Sequence, residues 1–105
     1  MTARAGWLLG VAVDALTARE RLDNAIIDLV ELGQFPPCHT EPDAWFSDSP
    51  TVIETAVAAC LRCPVIHQCR AYALADPRTS RYGVWASTPD PRQRDVLARY
   101  ESRSA

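Results

Sequence analysis

Four cysteines, Cys38, Cys60, Cys63 and Cys69, carry the clearest chemistry in this chain, and they are its whole cysteine complement. Their spacing is C-x21-C-x2-C-x5-C. Two thiolates three positions apart reach one metal centre from a single turn, because the chain reverses between them. Cys69 returns to the same point from the first turns of a following helix, and Cys38 closes the site from a distant loop. Four soft sulfur donors suit zinc or an iron–sulfur cluster. Structural zinc sites usually present two short Cys-Cys knuckles, and only one occurs here. Pro64 directly after Cys63 is closer to iron–sulfur ligation. Two disulfides, or redox-active thiols, form the third option. His39 and His67 read as surface or capping residues, since the sulfur set is complete without them.

The elements that must position these sulfurs read as helices. Residues 1–13 read as a weakly packed start. From Asp14 the pattern turns helical: Thr17 and Glu20 have capping-box spacing, and Leu22, Ile26, Leu29 and Val30 repeat at the helical period. Gly33 is a good C-terminal stop, and Pro36-Pro37 prevents continuation, so Cys38 is presented from a stiff segment. Residues 39–49 read as a loop whose one apolar point is Trp45-Phe46. Those rings either cover a small core or anchor a partner, aromatics being favoured at interface hot spots. Ser49-Pro50 opens a helix that ends near Cys60, with Thr51 and Glu54 at capping-box spacing, and Pro64 opens the next, which Asp76-Pro77 stops. Cys63 then lies at or beside an N-cap. A turn or short hairpin is expected around Gly83, and Asp90-Pro91, with Gln93 as capping-box partner, opens a last helix. The expected fold is all-α, a bundle of about four short helices wrapped around the four-cysteine centre. Its expected organisation is an N-terminal extension over 1–33, a cysteine-bearing core over 34–88, and an Arg-rich helix and tail over 89–105.

At 105 residues and 48% hydrophobic content, the chain reads as one small domain, or a smaller domain with a tail, with a modest core. A metal centre closing roughly 30 residues would add substantially to its stability. The net charge of -2 is unevenly placed. Residues 1–59 hold nine acids against three Arg, net -6, and residues 60–105 hold eight Arg against four acids, net +4. An anionic partner is therefore expected on the second half, where Arg92, Arg94 and Arg99 are the nucleic-acid candidates. No stretch reaches the roughly 18 apolar residues that cross a bilayer. The segment from Gly6 to Val13 has the order of a signal peptide but is short, holds two glycines and runs into Asp14 without a cleavage site. A cytoplasmic protein with no membrane partner is expected. Cys60-x-x-Cys63 lacks the strand–helix frame of a thioredoxin-like motif, and no nucleophile–base set can be placed together, so an enzyme is not expected.

Taken in order, Cys38, Glu41-Pro-Asp-Ala-Trp-Phe46, Cys60-Leu-Arg-Cys-Pro-Val65, Cys69, Tyr72-Ala-Leu-Ala75 and Gly83-Val-Trp85 resemble the WhiB-like family over roughly residues 37–100. The resemblance implies a [4Fe–4S] cluster on Cys38, Cys60, Cys63 and Cys69. It also implies a transcriptional regulator that binds region 4 of the primary sigma factor of RNA polymerase, with redox or nitric oxide sensing common among members. Trp45, Phe46, Gly83, Val84 and Trp85 are then the partner-binding candidates, and the three large rings are expected on one face. Promoter DNA beside the sigma factor would be the anion for the Arg-rich helix. A structural zinc module and a cluster-free thiol–disulfide reductase are the alternatives.

Two departures from the family pattern stand out. Ala86-Ser87 follows Trp85 where the family usually has Gly-Gly; if those glycines hold positive φ, Ala86 carries a steric cost of ~1 kcal/mol, or the turn takes a different shape. The C-terminus also lacks a dense basic tail, its arginines being interleaved with Asp95 and Glu101.

Overall fold

The computed structural model describes the backbone of residues 3–104 and the side chains of residues 14–103. Its first helix, α1, spans Ala3–Glu31. The helix thus opens well before Thr17, and the Thr17–Glu20 pair sits inside it rather than at its start. The reason is propensity: residues 3–16 are dominated by Ala, Leu and Val with no proline, so nothing halts the helix there. The side chains of Gly6 to Val13, the segment weighed above as a signal peptide, lie outside the described residues. Ala18, Leu22, Ala25, Ile26 and Leu29 form one helical stripe, and it packs on a later helix. The helix ends as expected. Gly33 takes φ 76°, its N–H donates to Val30 O at 2.9 Å, and Gln34 N–H donates to Leu29 O at 3.1 Å.

Four further helices follow: α2 (Pro37–Thr40), α3 (Pro50–Leu61), α4 (Ile66–Ala75) and α5 (Pro91–Ser104). The fold is all-α, but α1 is 29 residues long, not short, and Cys38 has a helical turn of its own. Residues 39–49 are not wholly a loop either: Pro42–Phe46 winds into a 3-10 turn, started by proline at its first position. In α4 the start is later than the Pro64 expectation. Cys63 to Val65 form a turn, closed by Ile66 N–H on Cys63 O at 3.2 Å, and Val65 is the N-cap. Ser49 precedes α3 without a side-chain capping bond, leaving Pro50 as the signal for that start.

Two apolar clusters make the interior. One joins Ala18, Leu22 and Leu29 of α1 to Val65 and Tyr72, with Cys63, Cys69 and Trp85 against it. The other joins Trp45, Ile53, Ala56, Cys60 and Val84, with Cys38 and the α5 residues Val96 and Leu97 against it. The cysteines divide two and two between these clusters, so the site lies on the seam where the halves meet. Among the described residues no helix is long and apolar enough to cross a membrane.

Candidate metal centre

Each sulfur is placed by a different local device. Pro36, buried and extended at φ -60° and ψ 142°, delivers Cys38 into α2 with Pro37 at the first helical position. Cys60 ends the buried face of α3, following Ile53 and Ala56 along the same helix. Arg62 N–H on Ala59 O at 3.1 Å and Cys63 N–H on Cys60 O at 3.0 Å then reverse the chain, which is what the Cys-x-x-Cys spacing requires. Cys69 lies on the first turn of α4, its N–H bonded to Val65 O at 2.9 Å.

All four cysteines are unbridged and line one cavity of about 610 Å³. Leu22 and Ile26 of α1, Trp45, Phe46, Tyr72 and Trp85 supply its walls. Burial raises the Cys38 thiol to about 11, and the neighbouring Cys63, Cys69 and Cys60 push the same way. Cys63 and Cys69 are also raised by burial, against the pull of N–H groups from Val65 and Ala86 respectively. The fourth sulfur, Cys60 Sγ, receives the indole N–H of Trp45 at 3.1 Å. Among the described residues no three Cys, His, Asp or Glu side chains are grouped as the ligands of one ion would be. Sulfurs lining one cavity, three of them held as thiols by burial, fit a cationic metal centre, since bound metal would offset the burial that disfavours thiolate.

The aromatic candidates all reach this cavity, with different exposure. Trp45 is buried and Phe46 is 54% exposed. Trp85 is half-buried, stacks obliquely on Tyr72 with centroids 5.9 Å apart, and gives its indole N–H to Tyr82 O at 2.9 Å. Gly83 and Val84 are buried. Gly83 has φ 83°, and a Cβ there would lie 2.7 Å from the Phe46 ring and 2.9 Å from Trp45 O, so only glycine fits. After it, Trp85 and Thr88 exchange backbone bonds of 3.0 and 2.9 Å across Ala86 and Ser87, at φ 48° and 66°. Two successive positive φ values make this a type I′ hairpin turn, the geometry that favours glycine, so the strain expected of Ala86-Ser87 is present.

Arg92, Arg94 and Arg99 are exposed on α5 but are not equivalent. Arg92 donates to Phe46 O at 3.1 Å and lies 3.8 Å from Asp48 and 3.9 Å from Asp90. Arg99 pairs with Asp95 at 2.9 Å. Arg94 makes no ion pair among the described residues. Two long-range contacts that shape the site escape sequence reasoning. Gln93 was legible as a cap, and it does exchange bonds with Asp90, but it also reaches the aromatic loop. Arg19 on α1 bonds Asp23 at 3.1 Å and sits 5.5 Å over the Tyr72 ring at the cavity wall; no local motif marks it.

Known proteins match the same part of the chain. A family model described as transcription factor WhiB matches residues 35–97. A probable transcriptional regulator, WhiB7 of Mycobacterium tuberculosis, is 46% identical over 50 residues, covering 47% of this chain and 52% of that protein. The transcriptional regulator WhiB7 of Mycolicibacterium smegmatis is 44% identical over 50 residues, covering 47% of each. The chain spans about half the length of these curated relatives. No solved structure matches it. The family match takes in more than half of the chain, with all four cysteines, the Trp45-Phe46 pair and the Gly83 turn inside it, and on that ground this chain belongs to the WhiB family.

Proposed function

We propose that this protein is a non-enzymatic, cytoplasmic transcriptional regulator. In this reading it holds a [4Fe–4S] cluster on Cys38, Cys60, Cys63 and Cys69 and docks on region 4 of the primary sigma factor. The observation that carries the cluster is the convergence of four unbridged sulfurs on one cavity at the seam of the two apolar clusters. When bound, such a cluster supplies one-electron redox chemistry and a target for nitric oxide or oxygen. The chain's own contribution is to desolvate the sulfurs, to aim N–H groups at them and to limit access with aromatic and aliphatic walls.

For the partner, the exposed Phe46 beside the half-buried Trp85 is the support. Gly83 and Val84 act beneath them as backing, and Trp45 acts from inside. Promoter DNA would then meet α5 through Arg94, with Arg92 and Arg99 sharing their charge with nearby acids.

Anaerobically purified protein should contain iron and sulfide at about four each per chain. Replacing any one cysteine by Ala should abolish both. Zinc at about one per chain without sulfide would instead make this a structural zinc module. Disulfide-reductase turnover by the iron-free chain, lost on Cys60→Ser, would make it an enzyme. Calorimetry with the sigma region 4 domain tests the partner. Phe46→Ala should weaken binding about tenfold or more with iron content unchanged, and an iron-loaded native chain that does not bind overturns that part. Bleaching of the cluster absorbance by stoichiometric nitric oxide would support sensing, and an unchanged spectrum would leave the cluster structural.

A further inference from the structure

The indole N–H of Trp45 donates to Cys60 Sγ at 3.1 Å, and both residues are buried. An indole has one proton to give and no lone pair to accept with, so once buried it needs an acceptor. Here that acceptor is sulfur. A neutral thiol accepts weakly, whereas a thiolate accepts a charge-assisted bond, so the pairing suits Cys60 in its ligating form. The ring's aim is not accidental. The Trp45 carbonyl is held by Val84 N–H at 2.8 Å and by Gln93 Nε2 at 3.0 Å, which fixes the main chain from which the indole projects. Trp85 supplies the contrast, because it lines the same cavity but gives its N–H to a backbone oxygen.

We infer that Trp45 is a positioning residue of the metal centre: its N–H holds the Cys60 sulfur in place and draws electron density from it, raising the centre's reduction potential. The inference rests on the cluster reading above. Hydrogen bonds to ligating sulfurs are among the factors that set iron–sulfur potentials. The reduced centre carries one more electron and more negative charge on sulfur, so an N–H donor favours it. Trp45 thereby acts on the centre itself and not as a docking ring.

The test compares the full native chain with Trp45→Phe and Trp85→Phe, each purified anaerobically and analysed for iron and sulfide. A native chain without iron and sulfide overturns the cluster reading, and this inference with it. With all three chains loaded, a one-electron titration with dithionite and mediators separates the two ideas. At a fixed ambient potential Trp45→Phe should show an about tenfold lower reduced-to-oxidised ratio, equivalent to a midpoint lowered by about 59 mV. Trp85→Phe, which removes a cavity-lining indole whose N–H is on a backbone oxygen and not on a sulfur, should lower the ratio clearly less than Trp45→Phe does. Equal ratios in Trp45→Phe and native overturn the inference and leave the cluster reading standing, whatever the variant's thermal stability. Should Trp45→Phe fail to load, a Trp7→Phe/Trp85→Phe chain keeps Trp45 as the one tryptophan. With its indole labelled with 15N, pulsed EPR of the reduced centre should show one coupled indole nitrogen, and a spectrum without that coupling overturns the inference.

Discussion

Gln93 donates its side-chain amide to the main-chain oxygen of Trp45 at 3.0 Å, across 48 positions of sequence. The same amide reaches Ser47 O at 3.0 Å, while Gln93 Oε1 accepts Asp90 N–H at 3.0 Å. Asp90 in turn takes the N–H groups of Gln93 and Gly83. One capping box therefore ties α5, the aromatic loop and the Gly83 turn together, and Gln93 is fully buried in doing so. Gln93→Ala strips a donor from two carbonyls and an acceptor from Asp90 N–H. Each buried polar group left unpaired costs about 1–3 kcal/mol. Trp45 O keeps Val84 N–H, so the lower part of the range applies there. A loss of about 2–4 kcal/mol in urea unfolding is expected.

The hairpin turn offers a test in both directions. Gly83→Ala places a Cβ 2.7–2.9 Å from the Phe46 ring and Trp45 O at positive φ, so it should cost about 2–4 kcal/mol through crowding and backbone strain together. Ser87→Gly should have the opposite sign, because it relieves the φ of 66° at a half-buried residue; a gain of about 1 kcal/mol is expected. Ala86→Gly relieves similar strain but gives up a buried methyl worth about 0.8 kcal/mol, so it should come out near neutral. Urea midpoints of the three variants check the ordering.

Leu22 lies on α1, before the residues that match the family, yet it is 7% exposed and lines the cysteine cavity against Val65 and Tyr72. Leu22→Ala should destabilise the fold by about 2–4 kcal/mol through the cavity it leaves. It should also shorten the lifetime of the loaded protein in air, followed by visible absorbance, because the wall beside Cys63 and Cys69 is thinned. An unchanged lifetime would confine α1 to packing.

Asp76 stops α4 and accepts the hydroxyls of Thr79 and Tyr72, each at 2.9 Å. Its pKa is lowered, first by Thr79 and then by Tyr72. A carboxylate depressed in the folded state contributes stability above its unfolded value, near 3.9, and loses it as pH falls through the folded value. Asp76→Asn should therefore be less stable than native at pH 7, with the gap narrowing at a pH below the ordinary carboxylate range. The carboxylate is open to solvent, so the effect is small. Urea midpoints at the two pH values measure it.

Much of this protein was determined by local sequence. The Cys60–Cys63 reversal, the stop at Gly33, the cap formed by Asp90 and Gln93 and the strain at Ala86-Ser87 each depend on residues within a few positions of one another. Backbone sterics and short-range hydrogen bonds settle such features. The spacing of the four cysteines likewise named them as one set, and all four line one cavity. Tertiary structure decided the rest. Burying Trp45 requires an acceptor for its indole N–H, and that acceptor, Cys60 Sγ, lies 15 positions away. That α1 walls the cavity follows from its stripe meeting Val65 and Tyr72, and an amphipathic pattern names a buried face without naming what buries it. The Arg99–Asp95 pair is local, four positions apart on one helix, but Arg92 meets Asp48 and Phe46 O only across the fold, and Coulomb interactions depend on distances that exist only once the chain has folded.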